Sequence, residues 1–456
     1  MNQYHPWRAN SFCNASLRAL RNVALSAAMV GLISVADAQE AAITKDALAT
    51  DDAPTTPGIR EESSRQGIRG FQGLKEMNPP RSASNEKFTA LVGGKLIDGR
   101  GGEPVEQATV VIHGDKIVAV GGSGTPVPEG AEVIDVRGQS ILPGLVDSHF
   151  HSINDVDMVV NFQLRNGITS LRDPGHPFKY YSQTLQSKRD MPRIFLCGGH
   201  LDAAPAVWPD QAAVIASDAD ATRAVNAHVD RGASAIKVYF RLPLEHIRVA
   251  CSAAEQRGVP VTSHLELVEA KDAIDAGVRG VEHVTSFGLS LAKPAAIANF
   301  RSLVSADSDA RKEWRYRMWA DIDLTDSTRL DPLISKLLEK SVFVSPTLAV
   351  FERRLGQKDA TEFEAVAFEK QMKFVEICHE HGVTVVAGSH TYAPLAQSGK
   401  AFLRELQLLV ECGMSPLEAI TAATYDNARF FGIAERLGSL EVGKTADIVL
   451  VKGDPS

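Results

Sequence analysis

The sequence predicts an α/β fold, a (β/α)8 TIM-type barrel with a small β-sandwich domain formed by N- and C-terminal strands. Three observations predict it. Short apolar runs alternate with helical stretches over residues 141–434, as parallel strands covered on both faces by crossover helices require. Eight such runs occur in order, the number a barrel needs. The flanking stretches, 88–140 and 435–456, are strand-like and carry no helical pattern of their own. A doubly wound open sheet is the competing arrangement, but no G-x-G-x-x-G opens a helix, so a dinucleotide site has no support.

Residues 1–38 read as a secretory signal peptide. Arg8, Arg18 and Arg21 precede an apolar run over 23–35, and Ala36-Asp37-Ala38 fits a small-x-small cleavage site. The run is too short to span a bilayer, which takes about 20 apolar residues. The expected address is periplasmic or secreted. Cleavage removes Arg8, Arg18, Arg21 and Asp37, a net +2, and takes the charge from -8 to -10. Residues 39–87, rich in Ser, Asp, Glu, Pro and Gly, read as a disordered linker. Then ALVGG at 90–94, ATVVIH at 108–113 and KIVAV at 116–120 are strand runs, and Gly114-Asp115 is a hairpin turn between the last two.

The barrel strands are expected at 141–151, 167–172, 194–200, 235–240, 259–265, 280–284, 342–350 and 383–389. Helices are expected between most of them, including 219–231, 244–257 and 363–381. Residues 299–330 carry Trp314, Tyr316 and Trp319 among charges, and fit either a lid over the barrel mouth or a helix packed on the barrel. The final strand-like stretch should pair with the N-terminal strands.

The 456 residues are 44% hydrophobic and 23% charged, ordinary for a globular protein. No basic run marks a nucleic-acid partner. Cys197, Cys251, Cys378 and Cys412 are widely spaced with no C-x-x-C, so buried free thiols are expected, with one disulfide between neighbouring helices as the alternative. A homo-oligomer is an ordinary prior for an enzyme.

His149-Phe150-His151 closes the first barrel run. In a strand, residues two apart face the same way, so both imidazoles can reach one metal while Phe150 faces the packed side. Lys237, His264 and His283 fall at the ends of later runs. Barrel active sites are built from the C-terminal ends of strands, so these residues share one rim. Each alone has a structural explanation, a snorkelling lysine or a hydrogen-bonded core histidine; together they point to a metal centre.

The ordered motifs GLVDSHFH at 144–151, IKVY at 236–239, Ser263-His264, VEHV at 281–284, ITAATYDNAR at 420–429 and GSLEVGKTADIV at 438–449 resemble the metal-dependent amidohydrolase superfamily, in its dipeptidase and imidazolonepropionase-like branch. The resemblance covers roughly residues 88–451. It implies two divalent metal ions, zinc by default, with manganese, cobalt or nickel also fitting such ligands. His149 and His151 would bind one, His264 and His283 the other, and a carboxylated Lys237 would bridge them. The metals would ionise water near neutral pH for attack on an amide carbonyl. The implied substrate is a small amide, a dipeptide or N-acyl amino acid. Arg172 is a candidate for a substrate carboxylate. His200 and Tyr239 are candidate donors to the carbonyl oxygen.

One departure stands out. The family has an aspartate at the end of strand eight, and here that position is His390. A histidine can serve as base or ligand, but lacks the carboxylate's charge. Asp155 and Asp173 are candidate substitutes. The alternatives to a working hydrolase are a catalytically weakened metal-binding barrel and a metal-assisted lyase or isomerase.

Overall fold

The computed structural model describes residues 75–78, 87–152 and 155–456. The signal peptide expected at 1–38 and most of the linker expected at 39–87 lie outside these residues. The described part of that linker is docked. Met77 N donates to Ile194 O at 2.9 Å, and Asn78 both donates to Pro192 O and accepts from Ile194 N at 2.8 Å.

The first sheet is built by β1 (Phe88–Leu96), β2 (Val105–His113), β3 (Lys116–Gly121), β4 (Glu132–Asp135) and β5 (Gln139–Pro143). β2 and β3 form an antiparallel hairpin turned by Gly114, whose φ is +59°. β4 pairs parallel with β1, and sequence reading did not find it. At the far end of the chain β15 (Ile448–Lys452) pairs antiparallel with β5. The sheet order is β15-β5-β1-β2-β3, with β4 beside β1. Leu91, Val110, Ile117, Ile141 and Leu450 form its apolar core.

Parallel strands follow. β6 (Leu145–Asp147), β7 (Ile168–Asp173) and β8 (Arg193–Leu196) form one sheet. β9 (Leu201–Asp202), β10 (Ala213–Val214), β11 (Ile236–Val238), β12 (Val261–Ser263), β13 (Gly280–Glu282) and β14 (Phe343–Ser345) form another, in the order β10-β9-β11-β12-β13-β14. Ser234 N donates to Leu196 O and Ser148 N to Ala387 O, linking the two groups of strands. This is an α/β fold with parallel sheets whose large apolar core lies between strands and helices.

Three strand expectations need correction. The run 141–151 is split, β5 joining the first sheet and β6 the second. Gly144 makes the break. A Cβ there would collide with Thr169 Oγ1 and the Asp447 carboxylate, and its N–H donates to Asp447 O. The run 194–200 is cut short: β8 ends at Leu196, and β9 begins only at Leu201. The run 383–389 has only an isolated bridge, Val385 to Val344. It threads so close to its neighbours that a Cβ on Gly388 would meet Ser148 Oγ and Ser345 Oγ at 2.8 Å.

The helices at Asp218–Asp230, Leu244–Gln256 and Glu362–Glu380 lie within a residue of expectation. Ser217 caps the first, and Thr361 with Glu364 forms a capping box on the third. The 299–330 stretch supplies the ends of Pro294–Ala306 and Ser327–Glu339 and the whole of Arg311–Asp321. The last buries Tyr316, Met318 and Trp319, which makes it a packed helix. All four described cysteines are buried free thiols. No helix among the described residues is long and apolar enough to cross a membrane.

Candidate metal centre

His149 and His151 sit just beyond the end of β6, so strand alternation is not what brings them together. Their Nε2 atoms nevertheless lie 3.1 Å apart, because bends at 148–149 re-aim the chain. Phe150 points the other way, fully buried among Leu171, Tyr181 and Ile194.

Two clusters of ligand-type atoms meet here, each with its atoms within 4.8 Å of one another. One is His149, His283 and His390. The other is His151, Asp173 and His176. His264 adjoins the first, its ring centroid 4.3 Å from that of His283. Backbone strain shapes the first cluster. His283 and His390 have φ of 66° and 52°, and Thr347 and Thr391 beside them are also left-handed. Such residues cost about 1–3 kcal/mol each and persist where surroundings over-determine them.

Outer partners orient the rings. Glu282 Oε2 holds His149 Nδ1 at 2.7 Å, leaving Nε2 toward the cluster. Thr347 Oγ1 holds His283 Nδ1 at 2.7 Å, and Glu266 Oε1 holds His264 Nε2 at 3.1 Å. Burial pulls His149 down to about 3 despite Glu282. Burial, then the neighbouring His149, His151 and His264, hold His390 well below its ordinary value. These imidazoles are neutral, the form that binds a metal.

Asp173, which ends β7, accepts from Gly175 N, His176 N, His176 Nδ1 and Tyr181 OH, and lies 3.1 Å from His151 Nδ1. Burial opposes its charge, but His176 and His151 hold it well below the carboxylate range. Of the two substitutes considered for a strand-eight aspartate, Asp173 therefore reaches the cluster. Asp155 is exposed and caps a short helix through Met158 N. His176 was missed; the only signal was its position three residues past Asp173.

Glu282 was also missed as a site residue. Its Oε1 accepts from Arg172 Nη2 at 2.8 Å and Thr262 Oγ1 at 2.5 Å, while Oε2 faces His149. Burial opposes ionisation, but Lys237, Arg172 and His149 hold it well below the carboxylate range. Arg172 is wholly buried, its Cζ 4.1 Å from the centre of the Phe430 ring. That guanidinium donates to Glu282 through Nη2, and its Nη1 has no hydrogen-bond partner among the described residues. Lys237, on β11, is buried and its Nζ has no hydrogen-bond partner among the described residues. Burial pulls it down to about 8.

His200 and Tyr239 pack with ring centroids 4.2 Å apart. His200 Nδ1 lies 3.1 Å from Gly175 O, which only an N–H can satisfy. Burial pulls His200 down to about 4. The neutral ring then presents Nε2 as an acceptor, the opposite of the donor expected from sequence. Tyr239 keeps its proton, since burial pushes it up to about 12. Its oxygen accepts from Trp208 Nε1 at 3.3 Å, so the O–H remains free to donate.

Neutral imidazoles, a low-pKa carboxylate and a buried lysine with no hydrogen-bond partner among the described residues form a donor set that could hold divalent metals. The Amidohydrolase family model matches residues 140–456, and the chain belongs to that family, a metal-dependent amidohydrolase. An imidazolonepropionase from Rubrobacter xylanophilus is 40% identical over 68 residues, 14% of this chain and 16% of that protein. An N-acyl-D-aspartate deacylase from Alcaligenes xylosoxydans xylosoxydans is 43% identical over 61 residues, 13% of this chain and 12% of that protein. These matches span less than a fifth of either relative. A Xaa-Pro dipeptidase structure with bound methionine aligns with TM-score 0.60 at 21% identity, covering 81% of this chain and 95% of its own. Ochratoxinase from A. niger aligns with TM-score 0.60 at 21% identity, covering 82% and 91%. At these identities the structural likeness speaks for the fold.

Proposed function

We propose that this chain is an exported hydrolase that cleaves the C–N bond of a small amide, a dipeptide or N-acyl amino acid. The observation that carries the reading is Lys237, a buried cation-forming side chain with no hydrogen-bond partner among the described residues, on the strand beside His264 and next to the ion-paired Glu282. A lysine so placed fits carboxylation, which would turn it into an anionic ligand.

The donor set fits two divalent metals, zinc by default. His149, His283 and His390, with His264 and a carboxylated Lys237, would hold one or both; His151, Asp173 and His176 supply further ligand atoms. When bound, such a metal supplies water ionised near neutral pH and polarises the carbonyl. Tyr239 O–H would donate to the carbonyl oxygen as it gains charge. His200 Nε2 would accept a proton or a hydrogen bond. Arg172 would hold Glu282 in place rather than bind substrate. In the same reading, the parallel strands close as a (β/α)8 barrel over 141–434, helped by the Ser148–Ala387 and Ser234–Leu196 hydrogen bonds. Residues 88–140 with 435–456 form the small β-sandwich domain. The signal over 1–38 places the enzyme in the periplasm or medium, which N-terminal sequencing of the expressed protein tests.

A second reading, a metal-binding barrel with weakened turnover, is favoured by His390 alone, since a neutral imidazole stands where the family has a carboxylate. One experiment separates the two. The full chain is loaded with zinc or manganese, bound metal is measured, and dipeptides and N-acyl amino acids are screened for wild type and His390→Asp. Turnover by wild type supports the hydrolase. Metal without turnover, with turnover appearing only in the variant, would sink it.

A further inference from the structure

The packed helix Arg311–Asp321 presents Arg311 and Arg315, four residues apart and so on one face. Arg311 lies over Phe240, which follows Tyr239, with its Cζ 5.2 Å from the ring centre. Arg315 lies over Phe351 at 4.9 Å, and Phe351 packs edge-on to His283 with ring centroids 5.6 Å apart. Arg315 Nη1 is 3.6 Å from Glu266 Oε1, the same oxygen that holds His264. Arg315 thus stands one side chain away from both His264 and His283.

The two arginines differ in how their donors are used. Arg311 Nη1 is committed to Ser308 O at 2.6 Å. Arg315 forms no hydrogen bond of ordinary length to Glu266, and its Nε is buried with no partner among the described residues. A planar guanidinium with an unpartnered donor, held over an aromatic ring, has the fork that takes a carboxylate through two parallel hydrogen bonds. Arg311 is also paired with Asp309 at 3.4 Å, whereas Arg315 makes the looser 3.6 Å contact with Glu266, so Arg315 is the less engaged of the two charges. Arg172, the arginine that sequence reading chose for this task, is enclosed and already paired with Glu282.

We propose that Arg315 is the subsite for the substrate's carboxylate, which restricts the enzyme to N-acyl amino acids and dipeptides with a free C-terminus. The inference rests on the hydrolase reading above and is tested apart from it. N-acetyl-L-proline, N-acetyl-L-leucine and N-acetyl-L-phenylalanine are compared with their C-terminal amides, on the metal-loaded full chain, by both calorimetric binding and hydrolysis. Wild type should prefer an acid over its amide by about 10- to 100-fold, the range of one charged hydrogen-bonded contact. Arg315→Met should abolish that preference, mainly through binding or KM, with bound metal unchanged. Arg315→Lys, which keeps the charge but not the fork, should retain part of it and serves if the Met variant does not fold. Absence of hydrolysis with the acid preference intact in binding would fail the hydrolase reading and uphold the subsite. Equal affinity of wild type for acids and amides, or a preference that survives Arg315→Met, overturns the subsite.

Discussion

Glu282 and Glu441 are two carboxylates each gripped by two basic side chains, and their surroundings make them different devices. Glu282 is fully buried between Arg172 and His149. Glu441 lies near the surface, with Arg100 at 2.7 Å and Lys444 at 2.7 Å, where the C-terminal residues meet the loop that follows β1. In the first region water is excluded, so removing one partner strands a charge in a low-dielectric interior. In the second, solvent screens each contact. The comparison teaches that the inner network sets geometry and the outer one adds only marginal hold between the sheet and the rest of the chain.

The sharpest way to break this contrast is Glu282→Gln. Arg172 would keep its buried charge with no counter-charge, and His149 would lose the acceptor that orients it. The expected cost is about 3–5 kcal/mol in urea unfolding, together with about 10- to 100-fold weaker metal binding. A loss below 1 kcal/mol would show that water or another carboxylate already serves Arg172. Replacing Arg172 and Glu282 together by apolar residues of similar size should recover much of the stability while leaving metal binding impaired, which separates the two tasks of the network.

Asp173→Asn should have a smaller effect, concentrated on the metal. Asp173 accepts hydrogen bonds from two backbone N–H groups, from Tyr181 and from His176. An amide would turn an NH2 toward some of those donors and remove the charge that keeps His176 raised above its usual value against burial. Metal affinity should fall about 10- to 100-fold, read by competition with a chelating dye. His149, His283 and His390 would be untouched, so any second, tighter binding step should persist. Loss of all metal would mean that the two clusters act as one centre.

How much of this was legible in the sequence follows from the same physics. Local signals worked where a residue's role is local: the Gly114 hairpin and the helix periods appear near expectation. His149, His151, Lys237, His264 and His283 could be singled out because polar ligand-type residues at the ends of apolar runs stand out in the sequence. Glu282 was hidden beside His283, since one residue in an apolar strand gives no hint that its partner is Arg172, 110 positions earlier. His176 was hidden on a loop, where no period constrains direction. Arg172 illustrates the converse. Its strand-end position suggested a substrate contact, and only tertiary packing shows that it is buried and donates to Glu282. His200 was found, yet its tautomer depends on Gly175 O, a contact no sequence pattern encodes.

The smallest effect belongs to Glu441. Burial works against its charge, but hydrogen bonds from Lys444 and Ser439, with the charges of Lys444 and Arg100, hold it down to about 2 from an ordinary 4.5. A folded-state value below the unfolded one means that its contribution is present above pH 4.5 and is lost as pH falls from there toward 2. The side chain is 35% exposed, so solvent screening limits the contribution to about 1 kcal/mol. Stability of wild type and Glu441→Gln, measured by urea unfolding at pH 7 and pH 3, should therefore differ at pH 7 and converge at pH 3, and 1 M salt should shrink the pH 7 gap. A gap that stays constant across that range would place the Glu441 effect in packing rather than charge. The inner and outer networks would then differ in degree of burial alone and not in the kind of work their charges do.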